Sequence, residues 1–279
     1  MDQSSLVSVQ WLNSQLGLPN LVILDATLAK PKATIADIPN IEHKIPGTRF
    51  FDIDNRFSDK SIDLPHMMCD AAQFKAAADE LGISNDSMVI VYDAHGIYSS
   101  PRAWWMLKSM GIKNVAVLDG GLPEWMRHGF RTEPVKKHGV FEADFQPIFN
   151  SSCFVDATYV ASSIENEDVC LLDARSNARF DGTAPEPRAG LRSGHIPNSI
   201  SLPFIEVLDD TRMKSSDQLK KLFAVHHLGD KKLVFSCGSG LTACIILLAA
   251  HLAGYEDLAV FDGSWSEWGQ QNGLPVVTD

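Results

Sequence analysis

One cysteine has neighbours that suit a reactive thiol. In Ser236-Cys237-Gly238-Ser239-Gly240-Leu241-Thr242-Ala243, two glycines flank Ser239 and let the backbone curl so that several N–H groups converge. Such a cup at the positive end of a helix stabilises an anion. A thiol held there is expected to have a lowered pKa and to react as thiolate. Taken alone, the loop also fits a buried structural cysteine beside a flexible turn, since free cysteine is among the most buried residues.

The flanking sequence says how the loop is positioned. The apolar run Lys232–Phe235 enters it and reads as a buried strand. The run Cys244–Gly254 leaves it, is too long for a strand and ends at a glycine, so it reads as a buried helix. Cys237 is thus expected where a strand gives way to a helix.

The chain repeats itself. Leu21–Ala26 returns as Val169–Ala174, with Asp25 matching Asp173 at an offset of 148. His43-Lys44-Ile45-Pro46-Gly47 returns as Gly194-His195-Ile196-Pro197-Asn198, at an offset of 151 or 152. Val89–Asp93 returns as Leu233–Cys237 (offset 144), and Asp119–Trp125 as Asp262–Trp268 (offset 143). Order is kept while loops change length, the mark of a tandem duplication with copies of ordinary domain size. We expect a first domain over residues 1–135, a linker over 136–152 and a second domain over 153–279.

Within each copy short apolar strands alternate with amphipathic helices. The first should have helices over Val7–Leu16, Asp70–Leu81 (Asp70 as N-cap) and Pro101–Met110 (Ser100 as cap, proline at the first position), and strands over Leu21–Asp25, Met88–Tyr92 and Val115–Leu118. In the second, Asp156 can cap a helix running to Ile164. The fold class is therefore α/β, two doubly wound units, each with a parallel sheet covered by helices on both faces.

Composition narrows the function classes. The 279 residues are 45% hydrophobic, enough for one large domain or two smaller ones, and the net charge of −11 comes without a lysine- or arginine-rich run, so nothing suggests a basic nucleic-acid face. The five cysteines (Cys69, Cys153, Cys170, Cys237, Cys244) are odd in number and lack a Cys-x-x-Cys pair, against a disulfide framework or a zinc site. His226-His227 resembles a metal pair only in isolation, with no third ligand at suitable spacing. No segment has the length and apolarity of a membrane span, and the N-terminal residues lack a basic region followed by an apolar run. A reducing cytoplasm is the expected compartment.

These motifs identify a resemblance. The Cys-Gly-Ser-Gly-x-Thr loop, Glu186-Pro187-Arg188, Gly194-His195-Ile196-Pro197, Pro101-Arg102-Ala103-Trp104-Trp105 and Trp265-Ser266-Glu267-Trp268 together resemble the two-domain rhodanese-type sulfurtransferases, and within them most closely the 3-mercaptopyruvate sulfurtransferases. The resemblance covers nearly the whole chain. It implies that only the second domain carries the nucleophile, Cys237, which receives sulfur as a persulfide with no cofactor or metal. Asp93 stands at that place in the first copy. A carboxylate cannot accept a sulfane sulfur, so that copy is expected to be catalytically silent.

The resemblance also supplies roles. Arg179 and Arg188 match the pair that holds the substrate carboxylate, where a planar guanidinium suits better than lysine; the alternative is a surface pair making weak bonds with Asp181 or Glu186. Asp54, His66 and Ser239 match an acid–histidine–serine set that manages protons as pyruvate leaves; otherwise Asp54 and His66 only tie down a loop. The loop residues Gly238, Gly240, Leu241 and Thr242 are expected to line the donor site. Tyr98 and Arg102 match first-domain residues of the substrate cleft, although Arg102 also suits a structural ion pair. His195 suits a role in the fold.

Competing functions separate on particular residues. A phosphatase built on this kind of loop needs arginine six residues after the cysteine, and here that residue is Ala243. A pure binding or sensor module would not need the intact loop with both arginines. The nearest rival is a thiosulfate:cyanide sulfurtransferase. Relatives preferring that compact dianion carry basic residues directly after the cysteine, whereas Gly238 and Ser239 are neutral. The resemblance thus implies 3-mercaptopyruvate as donor, thioredoxin or another small thiol as acceptor, and cyanide as laboratory acceptor, with no nucleic acid or membrane involved.

Overall fold

The computed structural model describes residues 4–31, 37, 38, 40, 42–135, 141, 143–270 and 273–278. The chain divides into two compact units. The first comprises Met1–Asp59, Met68–Asn150 and Asp210–Met213, and the second Lys60–Met67, Ser151–Asp209 and Lys214–Asp279. The loop segment carrying His66 therefore belongs to the second unit although it lies early in the chain. Of the segment expected as a linker, residues 136–140 and 142 lie outside the described residues, and 143–150 have no regular structure.

In the first unit the elements are β1 (Leu6–Val7), α1 (Val9–Gln15), β2 (Leu21–Asp25), β3 (His43–Lys44), β4 (Thr48–Phe50), α2 (Ala71–Glu80), β5 (Met88–Tyr92), α3 (Ser100–Ser109), β6 (Val115–Leu118), α4 (Gly121–Arg127) and β7 (Glu133–Pro134). The sheet runs β1-β6-β5-β2-β4 with every pairing parallel. On one face Val9 and Leu12 of α1 and Leu122 and Trp125 of α4 cover Ile23, Ile90, Tyr92, Ala116 and Leu118. On the other, α3 packs on β5 and β6.

The second unit repeats this order. Its elements are β8 (Phe154–Val155), α5 (Ala157–Ser163), β9 (Val169–Asp173), α6 (Asn177–Phe180), β10 (Ile200–Ser201), β11 (Leu208–Asp209), α7 (Ser216–Ala224), β13 (Lys232–Ser236), α8 (Ala243–Ala253), β14 (Leu258–Phe261) and α9 (Ser264–Trp268); β12 (Arg212–Met213) falls in the segment grouped with the first unit. The sheet order, β10-β9-β13-β14-β8, is the first sheet's order strand for strand, again all parallel. Val160, Val234, Phe261, Trp265 and Trp268 form the core on the face of α5 and α9. The expected fold class, two doubly wound parallel α/β units, is the one observed.

Helix starts differ from expectation where a distant side chain intervenes. The N-terminal helix begins at Val9, because Val7 is taken into the sheet opposite Leu118 and Ser8 caps the helix by accepting the Trp11 N–H at 3.2 Å. Helix α3 begins at Ser100 rather than Pro101, and its N-cap Ser99 makes no side-chain capping bond. The capping group is Asp93, whose Oδ2 accepts the N–H groups of Tyr98, Ser99 and Ser100 at 2.8–3.0 Å. Asp70 and Asp156 cap as expected, accepting N–H bonds from Gln73 and Tyr159. Helix α8 ends at Ala253, followed by Gly254 with φ 105°, a conformation that glycine adopts without strain.

Candidate active site

The site is built where the middle strand of the second sheet ends. Ser236 closes β13 beside Asp173 of β9, and Cys237 follows, 1% exposed, before α8 begins at Ala243. The loop is moored from behind by the start of α9. Ser264 Oγ accepts the N–H groups of Cys237 (3.2 Å) and Gly240 (3.0 Å) while donating to Phe261 O (2.8 Å). The N–H of Trp265 donates to Cys237 O, and both the N–H and the hydroxyl of Ser266 donate to Gly238 O.

This mooring sorts the loop's donors. The N–H groups of Cys237 and Gly240 are used inward. Those of Gly238, Ser239, Leu241 and Thr242 have no acceptor among the described residues. A ring of unsatisfied N–H groups at a helix start favours an anion.

The two glycines serve different ends. Gly240 has φ 70°, where glycine is needed for the turn. Gly238 is not left-handed; a Cβ there would meet Arg179 Nη2 at 3.2 Å and Arg188 Nη1 at 3.7 Å. Glycine at 238 thus leaves room for the Arg179 guanidinium against the backbone, with Arg188 at ordinary contact distance, rather than completing the expected curl.

Arg179 is no surface arginine. Its Nε and Nη2 donate to Glu186 at 3.1 and 2.5 Å, and the Glu186 side chain is 2% exposed. Glu186 also accepts from Arg175 Nη1 at 2.9 Å. Arg175 is wholly buried, forks onto Asp173, donates to Gly194 O, and lies 4.0 Å from the centre of the Trp265 ring. Burial opposes the charge on Arg175, but the two carboxylates beside it outweigh burial and move its pKa upward. Arg188 is half-buried and makes no ion pair among the described residues.

His66, in a left-handed turn at φ 62°, brings Nδ1 to 3.1 Å from Ser239 Oγ and 3.3 Å from Ser239 O. A carbonyl only accepts, so the approach to Ser239 O calls for a proton on Nδ1. That tautomer donates toward Ser239 and leaves the serine's own O–H free to donate elsewhere.

The structure therefore brings Cys237, Gly238, Ser239, Gly240, Leu241, Thr242, Arg179, Arg188 and His66 into one unit. Asp54, Tyr98 and Arg102 belong to the first. There Tyr98 lies beside the His95 ring and Arg102 is fully buried in α3. His195 has a structural part: its ring stacks on Phe180 at 3.7 Å and Nδ1 bonds Phe180 O. Cys244 is in the core of α8, and burial pushes the Cys69 thiol up to about 12 and raises that of Cys170. All five cysteines are free of disulfides.

Three contributors were not assigned from sequence: Arg175, Glu186 as a buried bridge, and Ser264. The repeat carried the signal for two of them. Arg175 stands where the first copy has Thr27, and Ser264 where it has Gly121. Each is a polar difference at the edge of a repeated motif.

Comparison with known proteins agrees with this architecture. The rhodanese-like domain family matches the chain twice, over residues 8–128 and 156–271. The 3-mercaptopyruvate sulfurtransferase of Escherichia coli K12 is 36% identical over 279 residues, 99% of each chain. The mitochondrial thiosulfate/3-mercaptopyruvate sulfurtransferase 1 of Arabidopsis thaliana is 39% identical over 97% of this chain and 77% of its own. The crystal structure of Escherichia coli SseA, described with the rhodanese fold of 3-mercaptopyruvate sulfotransferases, superposes with a TM-score of 0.83 at 34% identity, covering 95% of this chain and all of that one. With two tandem matches, relatives over nearly its full length and the same fold in a solved relative, the chain belongs to the rhodanese-like family.

Proposed function

We propose that the protein is a sulfurtransferase that takes the sulfur of 3-mercaptopyruvate onto Cys237 and passes it to a thiol. The relatives' names include both 3-mercaptopyruvate and thiosulfate, so the choice of donor rests on the site. The observation that carries it is the distribution of charge. Both guanidinium groups stand to one side of Gly238, and the loop residues after Cys237 supply only N–H groups and the hydroxyls of Ser239 and Thr242. A donor with one carboxylate remote from its sulfur fits that arrangement better than a compact dianion.

The Cys237 thiolate attacks the donor's sulfur. The S–S bond forms as the C–S bond breaks, and the electron pair of the broken bond passes into the keto group as an enolate. The loop N–H groups that have no acceptor among the described residues stabilise the sulfur anion before and after attack. The Ser239 hydroxyl, held by the His66 Nδ1–H, donates to the keto oxygen as its charge grows, an interaction stronger in the transition state than before it. Arg179 and Arg188 hold the carboxylate. The enolate takes up the equivalent of the proton that the donor's thiol brought in, giving pyruvate and leaving Cys237 as the persulfide anion. An acceptor thiolate, of thioredoxin or a small thiol, then attacks the outer sulfur and returns Cys237 as thiolate. A reducing compartment such as the cytoplasm suits five free cysteines; no helix among the described residues is long and apolar enough to cross a membrane.

Steady-state kinetics on purified protein with cyanide as acceptor test the proposal. A higher kcat/KM for 3-mercaptopyruvate than for thiosulfate is expected; the reverse order contradicts it.

A further inference from the structure

The two arginines beside Gly238 are not electrostatically equal. Glu186 accepts two hydrogen bonds from Arg179 and one from Arg175. Arg175 already has its own carboxylate in Asp173. The four groups Asp173, Arg175, Glu186 and Arg179 thus balance to zero formal charge. Arg188, with no carboxylate partner among the described residues, is the unbalanced cation beside the loop. Glu186 cannot swing away from this duty. Its carboxylate is 2% exposed, and Arg175, to which it is tied, is pinned by Asp173, by Gly194 O and by the face of Trp265.

We infer that Glu186 is a specificity-determining residue: by neutralising Arg179 it leaves Arg188 as the one uncompensated guanidinium beside the loop and so favours monoanionic over dianionic donors. This rests on the donor site proposed above. Arg179 then contributes fixed, planar hydrogen bonding, and Arg188 contributes charge. Removing the Glu186 charge without changing its shape leaves two uncompensated guanidinium groups beside Gly238. The resulting field attracts a dianion more strongly than a monoanion. Glu186 touches neither donor nor thiol in this account; it acts through Arg179.

The test is the Glu186→Gln variant, assayed with 3-mercaptopyruvate and thiosulfate at low and high salt, with cyanide as acceptor. The ratio of kcat/KM for thiosulfate to that for 3-mercaptopyruvate should rise by about tenfold, and high salt should shrink the rise. Glu186→Asp, which keeps the charge, should keep the wild-type ratio. A purely structural Glu186 predicts a parallel loss on both donors with the ratio unmoved, which overturns the inference. Should Glu186→Gln fail to fold, the double variant Arg179→Gln with Glu186→Gln decides. It removes the ion pair without changing the net charge, so its ratio should match wild type while both rates fall; a ratio shifted toward thiosulfate overturns the inference. A wild type that prefers thiosulfate refutes the donor reading, yet the movement of the ratio on losing the Glu186 charge is still read independently.

Discussion

The loops after the middle strands of the two sheets start from the same geometry and end in opposite chemistry. In the first unit the loop from Asp93 holds its own anion. The carboxylate of Asp93, wholly buried, accepts the N–H groups of His95, Tyr98, Ser99 and Ser100 and the Ser100 hydroxyl. The Ala94 N–H is taken by Thr27 Oγ1 at 2.9 Å. In the second unit the residue at the same place is Cys237, and four loop N–H groups have no acceptor among the described residues. Ala94 corresponds to Gly238, and Thr27 to Arg175, whose guanidinium turns instead to Asp173 and Glu186.

The helix start behind each loop has diverged to match. Gly121 and Ser264 occupy equivalent left-handed positions, with φ 51° and 49°. A Cβ on Gly121 would collide with Asp93 O at 2.4 Å and Gly96 O at 2.5 Å. At Ser264 the side chain is instead accommodated, because the loop turns the N–H groups of Cys237 and Gly240 toward it. The first loop is thus satisfied from within, and the second is held from behind with its remaining donors left without an acceptor among the described residues. The first copy fills its own ring of donors with a carboxylate; the second leaves its donors without an acceptor among the described residues, as the proposed storage of a sulfur anion requires.

Truncating the two central residues gives the strongest way to break this comparison. Cys237→Ala should lower sulfur transfer on the order of a thousandfold or more yet cost only about 1 kcal/mol of stability. Asp93→Ala should do the reverse in stability, costing about 3 kcal/mol or more, because several buried N–H groups lose one charged acceptor. Urea unfolding monitored alongside cyanide-linked turnover reads both. Equal stability losses would mean that the Asp93 carboxylate is not what holds the first loop.

The next effect is smaller. Arg188→Ala should raise KM for 3-mercaptopyruvate by roughly a hundredfold and Arg179→Ala by roughly tenfold, the range for removing a charged hydrogen bond from a partly dry site. Initial-rate measurements over a range of donor concentrations would show the order, and unchanged KM in both variants would remove the arginines from the site.

Smaller again is the mooring. Ser264→Ala removes the acceptor for the Cys237 and Gly240 N–H groups and should lower kcat by about tenfold, with KM little changed. Gly121→Ser, its mirror in the first unit, should impair stability instead, since the loop carbonyls there leave no room for a side chain. Loss of kcat in neither would show that the loop holds its shape without help from α9.

Much of this was legible from sequence because it depends on local pattern. The strands Leu21–Asp25, Met88–Tyr92 and Val115–Leu118 stand at their expected bounds, since short apolar runs between turn residues have few other uses. The repeat predicted two units of one fold, and the strand–turn–helix setting of Cys237 is as the loop's glycines and flanking runs required. What stayed hidden depends on long-range side chains. The start of α3 is set by Asp93, seven residues upstream of Ser100, which no capping rule for adjacent residues anticipates. The Asp173–Arg175–Glu186–Arg179 chain joins a strand end, a short helix and a loop. Its members look ordinary in their own segments, and Glu186 entered only in the alternative reading, as one possible surface partner of the arginines. Gly238 looked like a turn glycine because composition does not say which side chains will crowd it.

If the Cys237 loop alone stores sulfur, loading the protein without an acceptor will show it. Wild type and the Asp93→Cys variant would each be given 3-mercaptopyruvate briefly, digested and analysed by mass spectrometry. The account predicts one added sulfur per chain in both proteins, always on the peptide containing Cys237. The first loop gains a thiol in the variant, but it lacks counterparts of Ser239, Arg179 and Arg188. Sulfur on Cys69, Cys153, Cys170 or Cys244, or a second sulfur on the peptide spanning position 93 of the variant, would contradict it.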